Sequence, residues 1–134
     1  LKIHRLTENL KQVVFNEFLL ENSNNQTFYL ENQYVKVVDI SPPTIDPITS
    51  NSPSFYFDRS EPGFENVNVF YHITEQQKYF QSLGFTDVNN YQLIDCHALN
   101  GADNSLFNAA SNPPSMLFGQ GGVDDAEDSD VIIH

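Results

Sequence analysis

The chain has 134 residues, with six Lys and Arg against 18 Asp and Glu, and a formal net charge of −12. This balance argues against a nucleic-acid partner or an anionic membrane surface, because affinity for phosphate depends on Lys and Arg contacts. Eleven Phe and six Tyr allow one core, a single cysteine excludes an internal disulfide framework, and no apolar run approaches the roughly 20 residues of a membrane span.

The first part of the chain favours β-structure. Residues 1–20 alternate loosely, which is compatible with a strand or equally with a short helix. The apolar face of that element would be Val13, Phe15 and Leu19. A polar turn is expected over residues 21–26. Residues 27–40 then predict two strands joined by a turn at Glu31 and Asn32, because their β-branched and aromatic residues alternate with polar ones.

Four prolines fall within residues 41–54. Proline excludes a helix interior and a central strand, so this stretch predicts a surface loop, followed by a short strand over residues 55–60. The clearest element comes next. Phe70, Ile73 and Phe80 recur at helical spacing and predict an amphipathic helix over about 65–83, ended by Gly84.

Residues 91–99 predict a further strand, with Asp95 and His97 on one face and Cys96 on the other. Two residues are too few for a metal site, Cys96 is interpreted as a small core residue, and His72 as a packed helix residue. The apolar pieces 105–107 and 116–118 predict edge strands. The glycines near residue 120 lack the spacing of a dinucleotide-binding loop.

The C-terminal segment (residues 119–134) ends in "GGVDDAEDSDVIIH". A helix is expected from about Val123, because acidic residues are favourable at the positive end of a helix dipole. Residues 131–133 are apolar at successive positions, which predicts a helix buried on all sides. We therefore expect the natural protein to continue beyond His134, with this segment as the entry to a longer buried helix.

Three stretches resemble the thermolysin-like and fungalysin-like zinc metallopeptidases, known as gluzincins. They are "FENVNVFYHITEQQKYFQSLGF", "HALNGADNSLF" and "FGQGGVDDAEDSDVIIH", and the resemblance extends over residues 34–134. In that family a glycine-rich entry precedes a buried helix that carries an H-E-x-x-H motif. The resemblance implies that His134 is the first zinc-binding histidine of this motif. The catalytic glutamate and the second histidine would come after it.

The spacing of such a motif has a physical reason. Residues four apart lie on one face of a helix, so two imidazoles can bind one Zn²⁺ while a water occupies an open position. The resemblance also implies that Asp130, four residues before His134, is a calcium ligand, since Ca²⁺ prefers carboxylate oxygens. The acidic run is equally compatible with a solvated helix start.

A substrate-binding strand is the other implied feature. The residues that correspond to the family's edge strand are Asn104, Ser105, Leu106 and Phe107. The unpaired backbone groups of an edge strand can hydrogen-bond an extended peptide. An ordinary surface loop is the alternative interpretation of the same four residues.

These observations predict an α+β chain, with a β-rich, mostly antiparallel twisted sheet packed on one long helix and the start of a second helix at the C-terminus. The family resemblance implies that residues 1–134 form one domain fragment, the N-terminal lobe of a zinc-dependent endopeptidase that is secreted or on the cell surface. Its partners would be a peptide or protein substrate and the C-terminal catalytic lobe. The alternatives are a non-catalytic binding or adhesion module and a calcium-stabilised structural module.

A lobe without its partner exposes an apolar face, and exposed apolar patches of several hundred Å² are usually covered. We therefore expect dimerisation or disorder around the C-terminal segment of the isolated chain. A monodisperse monomer with an ordered helix ending at His134 would contradict this expectation.

The isolated chain is expected to have no peptidase activity and no tight zinc site, because a stable zinc site needs three or four protein ligands. Elemental analysis of the purified chain after dialysis tests this. Zinc retained at one equivalent per chain would refute it.

Overall fold

A computed structural model of the chain describes residues 2–3, 10–14, 21–22, 27–88 and 90–134. The strands in these ranges are β1 (Lys2–Ile3), β2 (Leu10–Val14), β3 (Glu21–Asn22), β4 (Thr27–Tyr29), β5 (Val35–Val37), β6 (Thr49–Ser50), β7 (Ser54–Asp58), β8 (Gln92–Asp95), β9 (Ser105–Asn108) and β10 (Ser115–Phe118). The α-helices are α1 (Phe64–Ser82) and α2 (Ser129–Ile133), and 3₁₀ turns lie at Thr86–Val88, Leu99–Gly101 and Asp125–Glu127.

The strands of the described residues form three small sheets. Their orders are β1-β2-β7, β3-β4-β6 and β5-β8-β10-β9. Five of the strand pairs are antiparallel, while β5–β8 and β8–β10 are parallel. The predicted α+β class with mostly antiparallel pairing is therefore confirmed, although the strands are divided among three sheets instead of one.

Helix α1 lies in the connection between β5 and β8. Parallel neighbours need a long crossover, and a helix packed on the sheet is the usual way to make it. The bounds of α1 agree with the predicted helix over 65–83. Gly84 ends it with a φ of 89°, and the Phe85 N–H donates to the Phe80 carbonyl at 3.0 Å, as in a Schellman turn.

The first half of α1 is not amphipathic. Every side chain from residue 64 to residue 70 is buried, including Glu65, Asn66 and Asn68. The predicted stripe continues at Ile73, which is also buried, but Leu83 at the far end is 52% exposed. The helix therefore enters the protein interior at its N-terminus and reaches the surface at its C-terminus.

Several expectations about the edges of elements are wrong. Strand β10 is an inner strand, because β8 and β9 pair on either side of it, so only β9 of the predicted pair lies at the sheet edge. Glu21 and Asn22 belong to strand β3 and not to a turn. The interpretations of Phe15 and Leu19 fall outside the described residues.

The C-terminal helix also differs from its prediction. It begins at Ser129, after a 3₁₀ turn, and not near Val123, which is 67% exposed. Within residues 131–133 only Ile132 is buried, and Ile133 is 46% exposed. The reason is geometric: this single helical turn contacts α1 on one side, so Ile132 enters the core and Val131 packs against it, while Ile133 remains exposed.

The Pro-rich stretch 41–54 is mostly loop, as predicted, and its Pro42–Pro43 peptide bond is cis. It departs from a loop at β6, a two-residue strand that pairs with β4, and at Ser54, which begins β7. Neither of the described helices has the length and apolar character needed to cross a membrane.

The core joins α1 to β5, β7, β8 and β10. Its completely buried members include Phe70, Val67 and Ile94. Burying one such side chain stabilises the fold by roughly 1.5–3 kcal/mol. The packing of α1 against the sheet therefore supplies much of the hydrophobic stabilisation.

Phe70→Ala is expected to lower the free energy of unfolding by about 3–5 kcal/mol, because it leaves a cavity in a closed core. Tyr79→Ala is the control on the same helix, since Tyr79 is 61% exposed; its effect should stay within about 0.5 kcal/mol. Urea unfolding followed by circular dichroism measures both. If the two variants lost equal free energies of unfolding, the burial of Phe70 and the exposure of Tyr79 on α1 would be contradicted.

Candidate functional site

Strand β9 forms the open edge of the four-stranded sheet. Leu106 and Phe107 are about half exposed, at 50% and 54%. On its inner side β9 pairs with β10, and the Gly119 N–H extends this ladder by donating to the Asn104 carbonyl at 3.0 Å. No described strand pairs with its outer side.

The direction of the free backbone groups is set by this register. In an antiparallel pair, alternate residues point their N–H and C=O toward the partner strand. Since Asn104 points toward Gly119, Leu106 also points inward, while Ser105 and Phe107 point outward. The Ser105 N–H donates to the Asn104 side-chain oxygen at 3.0 Å. The outward-pointing backbone groups that remain available for a further strand are thus the Ser105 C=O and the N–H and C=O of Phe107.

A cleft of about 430 Å³ is lined in part by β9. Its lining comes from β9, β10, the end of α2, and two side chains from α1 and β8: Gln76, Gln92, Ser105, Leu106, Phe107, Met116, Leu117, Phe118, Val131, Ile132, Ile133 and His134. Three of the four predicted substrate-strand residues and the predicted zinc ligand therefore line one cleft. Asn104 and Asp130 are not part of its lining.

Two side chains of α1 hold the C-terminal segment against the helix. Asn68, which is fully buried, donates from Nδ2 to the Ala126 carbonyl at 2.9 Å. Gln76 donates from Nε2 to the Ile133 carbonyl at 3.1 Å. Because these bonds hold the segment at its middle and near its C-terminal end, they determine where His134 lies.

Two residues of the acidic run, Asp124 and Asp128, serve as local capping groups. The Asp124 carboxylate accepts from the Ala126 N–H at 3.0 Å, and Asp128 accepts from the Asp130 N–H at 2.8 Å. Glu127 forms an ion pair with Arg59. Caps of this kind satisfy N–H groups that a short helix leaves unpaired. The cap geometry accounts for Asp124 and Asp128 without a metal ion, while the calcium role of exposed Asp130 stays a prediction.

A stable zinc site needs three or four protein ligands. In the part of the chain that the structure describes, no three His, Cys, Asp or Glu side chains are grouped to hold a metal ion. His134 is exposed at the end of α2 and offers one imidazole. The described residues therefore do not fit a zinc ion by themselves.

The loop that leads into β9 is held by close backbone contacts. A Cβ atom on Gly119 would lie 2.0 Å from the Ala102 carbonyl oxygen, and one on Gly121 would lie 2.4 Å from the Asp103 nitrogen. Only glycine permits this approach. The glycine-rich stretch thus packs against the loop before β9, which places the edge strand beside the C-terminal segment.

Asp95 has a structural role. Its Oδ2 accepts hydrogen bonds from the N–H groups of Ile40 and Ser41 at 2.9 and 2.8 Å, and its Oδ1 accepts from the His97 N–H at 3.0 Å. Its carboxylate therefore joins the chain after β5 to the end of β8. Cys96 is buried, as predicted, and burial raises the pKa of its thiol.

One buried glutamate was not predicted from the sequence. Glu65 is only 8% exposed, and its Oε2 lies 3.9 Å from His97 Nε2. Burial is the main cause that raises its pKa to about 7, and the charges of Asp124 and Glu127 act in the same direction. No local signal marks Glu65, since a glutamate in the first turn of a helix is ordinarily a solvated, dipole-favoured residue.

No protein-family model matches the chain, and no curated protein or solved structure is significantly similar to it.

Asp95→Ala is expected to lower the free energy of unfolding by more than about 3 kcal/mol, because three backbone N–H groups lose their acceptor. Asp87→Ala removes a carboxylate from an exposed position and is the matched control. Denaturant unfolding of both variants is the measurement. A loss below about 1 kcal/mol for Asp95→Ala would show that the three bonds are readily replaced by water.

Proposed function

We propose that the chain is the N-terminal part of the catalytic domain of a zinc-dependent endopeptidase, and that β9 binds the backbone of its substrate. The observation that carries this proposal is the shared cleft: His134 and three residues of the open-edged strand β9 line the same cavity. A peptide bound along β9 would pass beside the residue that the family resemblance makes the first zinc ligand.

Strand addition is the physical basis of substrate binding. A peptide that extends the sheet beyond β9 would hydrogen-bond the Ser105 carbonyl and the N–H and C=O of Phe107, which point outward. Main-chain bonds of this kind provide affinity without reading the sequence of the peptide. The apolar lining, such as Leu106 and Met116, would contact its side chains.

The reaction we propose is peptide-bond hydrolysis. Zinc, when bound, would activate a water molecule for attack on the peptide carbonyl. His134 alone does not hold that metal, so the remaining ligands and the general base would lie beyond residue 134. Residues 1–134 would contribute to this reaction by binding and orienting the substrate and by holding His134 in position. The family resemblance favours a secreted or cell-surface location for this protein.

A peptide-binding module without catalysis is the second candidate. The open β9 edge favours it as much as it favours the enzyme, because strand addition needs no metal. The two candidates differ in the residues expected directly after His134. The natural coding sequence decides between them: Glu-x-x-His at these positions supports the peptidase, and any other sequence there excludes this proposal.

The role of β9 is tested by Phe107→Pro and Phe107→Ala in the natural protein that contains residues 1–134. Proline removes the outward N–H while leaving the ladder with β10 intact, and alanine removes only the ring. Phe107→Pro is expected to lower kcat/KM roughly tenfold relative to Phe107→Ala, the loss of about one hydrogen bond. For a binding module, the same ratio is expected in Kd for an extended peptide.

Circular dichroism serves as the folding control for both variants. If the two folded variants have equal kcat/KM and equal Kd, the substrate does not pair with the outer edge of β9.

A further inference from the structure

The outer edge of β9 lies in an uncharged part of an acidic chain. No residue from 104 to 123 is charged, although residues 1–134 carry a formal net charge of −12. Sheet edges in natural proteins are commonly protected from further pairing by charged side chains, by proline or by bulges. Strand β9 contains no charged residue and no proline, and Leu106 and Phe107 on it are about half exposed. Neither charge nor proline therefore keeps a further strand away from this edge.

The charge distribution favours a second copy of the same chain as that further strand. Two strongly acidic copies repel each other, and the repulsion opposes any contact that brings acidic side chains together. At β9 the copies would meet through neutral residues only, since the flanking charges in the sequence are Asp103 and Asp124. A basic peptide, by contrast, would find no carboxylate on β9 itself. The edge thus accommodates a like-charged copy at little electrostatic cost.

We propose that two copies of the protein pair through β9, antiparallel and about a twofold axis beside Leu106, and that this pairing closes the edge that the proposed function assigns to the substrate. The two four-stranded sheets would then be continuous. The pairing itself needs neither metal nor catalysis. Only its effect on substrate binding rests on the proposed function.

The outward-pointing backbone groups of β9 are self-complementary in this register. Ser105 of each copy lies opposite Phe107 of the other, and residues opposite each other at such positions exchange N–H and C=O groups. The Phe107 N–H of each copy would donate to the Ser105 C=O of the other, and the twofold symmetry makes this bond occur twice. The Ser105 N–H already donates to the Asn104 side-chain oxygen at 3.0 Å, so the second pair of bonds requires Asn104 to release it.

The side chains of β9 also match in this register. Leu106 would lie opposite Leu106 of the second copy, at the kind of position where side chains of antiparallel strands come closest. The two Phe107 rings would be diagonal neighbours on the other face of the sheet, a separation that aromatic side chains can span. Leu106 and Phe107 would thereby be removed from water, which favours association.

The pairing is short, because β9 has four residues. Small interfaces form weak and transient complexes, and buried area alone does not give high affinity. We therefore expect a reversible dimer with a Kd of roughly 1–500 µM.

Sedimentation equilibrium of the natural protein that contains residues 1–134 tests the pairing. Between about 5 and 500 µM the weight-average mass is expected to rise from that of a monomer toward that of a dimer. The dimer should become stronger as salt is raised from about 0.05 to 0.5 M, because salt screens the repulsion between two acidic chains. A monomer mass at every concentration and every salt would overturn the proposal.

Two variants distinguish pairing through β9 from general hydrophobic association. Leu106→Lys places two like charges opposite each other at the axis and is expected to raise the Kd of the dimer by about tenfold or more. Leu83→Lys makes the same change near the end of α1, where Leu83 is 52% exposed, and should dimerise like the wild type. Circular dichroism checks that both variants fold. An unchanged Kd in folded Leu106→Lys would exclude β9 as the interface.

The Phe107 amide provides a check that needs no variant. Its hydrogen exchange, followed by NMR, is expected to slow as the protein concentration rises, because its N–H is paired only in the dimer. The Leu106 amide points toward β10 and serves as the internal reference, whose exchange should not depend on concentration. Concentration-independent exchange of Phe107 in a protein that dimerises would place the interface elsewhere and refute the proposal.

Binding of an extended peptide separates this proposal from the proposed function. A protein that dimerises through β9 but binds no peptide would support the pairing and exclude β9 as a substrate-binding strand. A protein that binds the peptide and remains a monomer would exclude the pairing alone. If both hold, the apparent Kd for the peptide should rise with protein concentration, because the peptide and the second copy compete for the same edge.

Discussion

The complete burial of the first half of α1 is the constraint on which the other parts of this structure depend. A helix buried on all sides cannot turn its polar side chains to water, and an unpaired buried polar group costs about 1–3 kcal/mol. Its asparagines therefore hydrogen-bond segments that have no core of their own. Asn66 accepts from the Ile48 N–H in the Pro-rich loop at 3.1 Å, and Asn68 donates to Ala126 in the C-terminal segment.

The cleft depends on these bonds because its two walls come from distant parts of the chain. One wall is β9, which is placed by pairing with β10 and by the close packing of Gly119 on Ala102. The other wall is α2, which α1 holds through Asn68 and Gln76. Each wall is short, and neither would hold its position without the sheet and α1 behind it. The outer edge of β9 is open because β9 is the last strand in its sheet.

The acidic residues of the C-terminal segment act in two opposing ways. As caps, Asp124 and Asp128 stabilise a 3₁₀ turn and a single helical turn that would be marginal alone. The charge of Asp124 also raises the pKa of Glu65, which burial has already raised. The same side chain therefore caps its own 3₁₀ turn and contributes to the raised pKa of a buried carboxyl on α1.

The sequence by itself determined the elements whose signal is local. The bounds of α1 could be predicted from the spacing of Phe70 and Ile73 and from Gly84, and the edge strand at Ser105 from a short apolar run between polar loops. Proline content likewise determined the loop of residues 41–54. Each of these depends on helical period, backbone freedom or the missing proline N–H, which are properties of neighbouring residues.

Only the tertiary structure decided which of these elements meet. The division into three sheets, the inner position of β10 and the burial of Glu65 beside His97 depend on contacts between residues far apart in the chain. Glu65 lies in the first turn of α1, where a glutamate is ordinarily solvated, and only the tertiary packing around the helix makes it a buried acid. Periodicity reports which face of an element is apolar, whereas burial depends on what covers the other face.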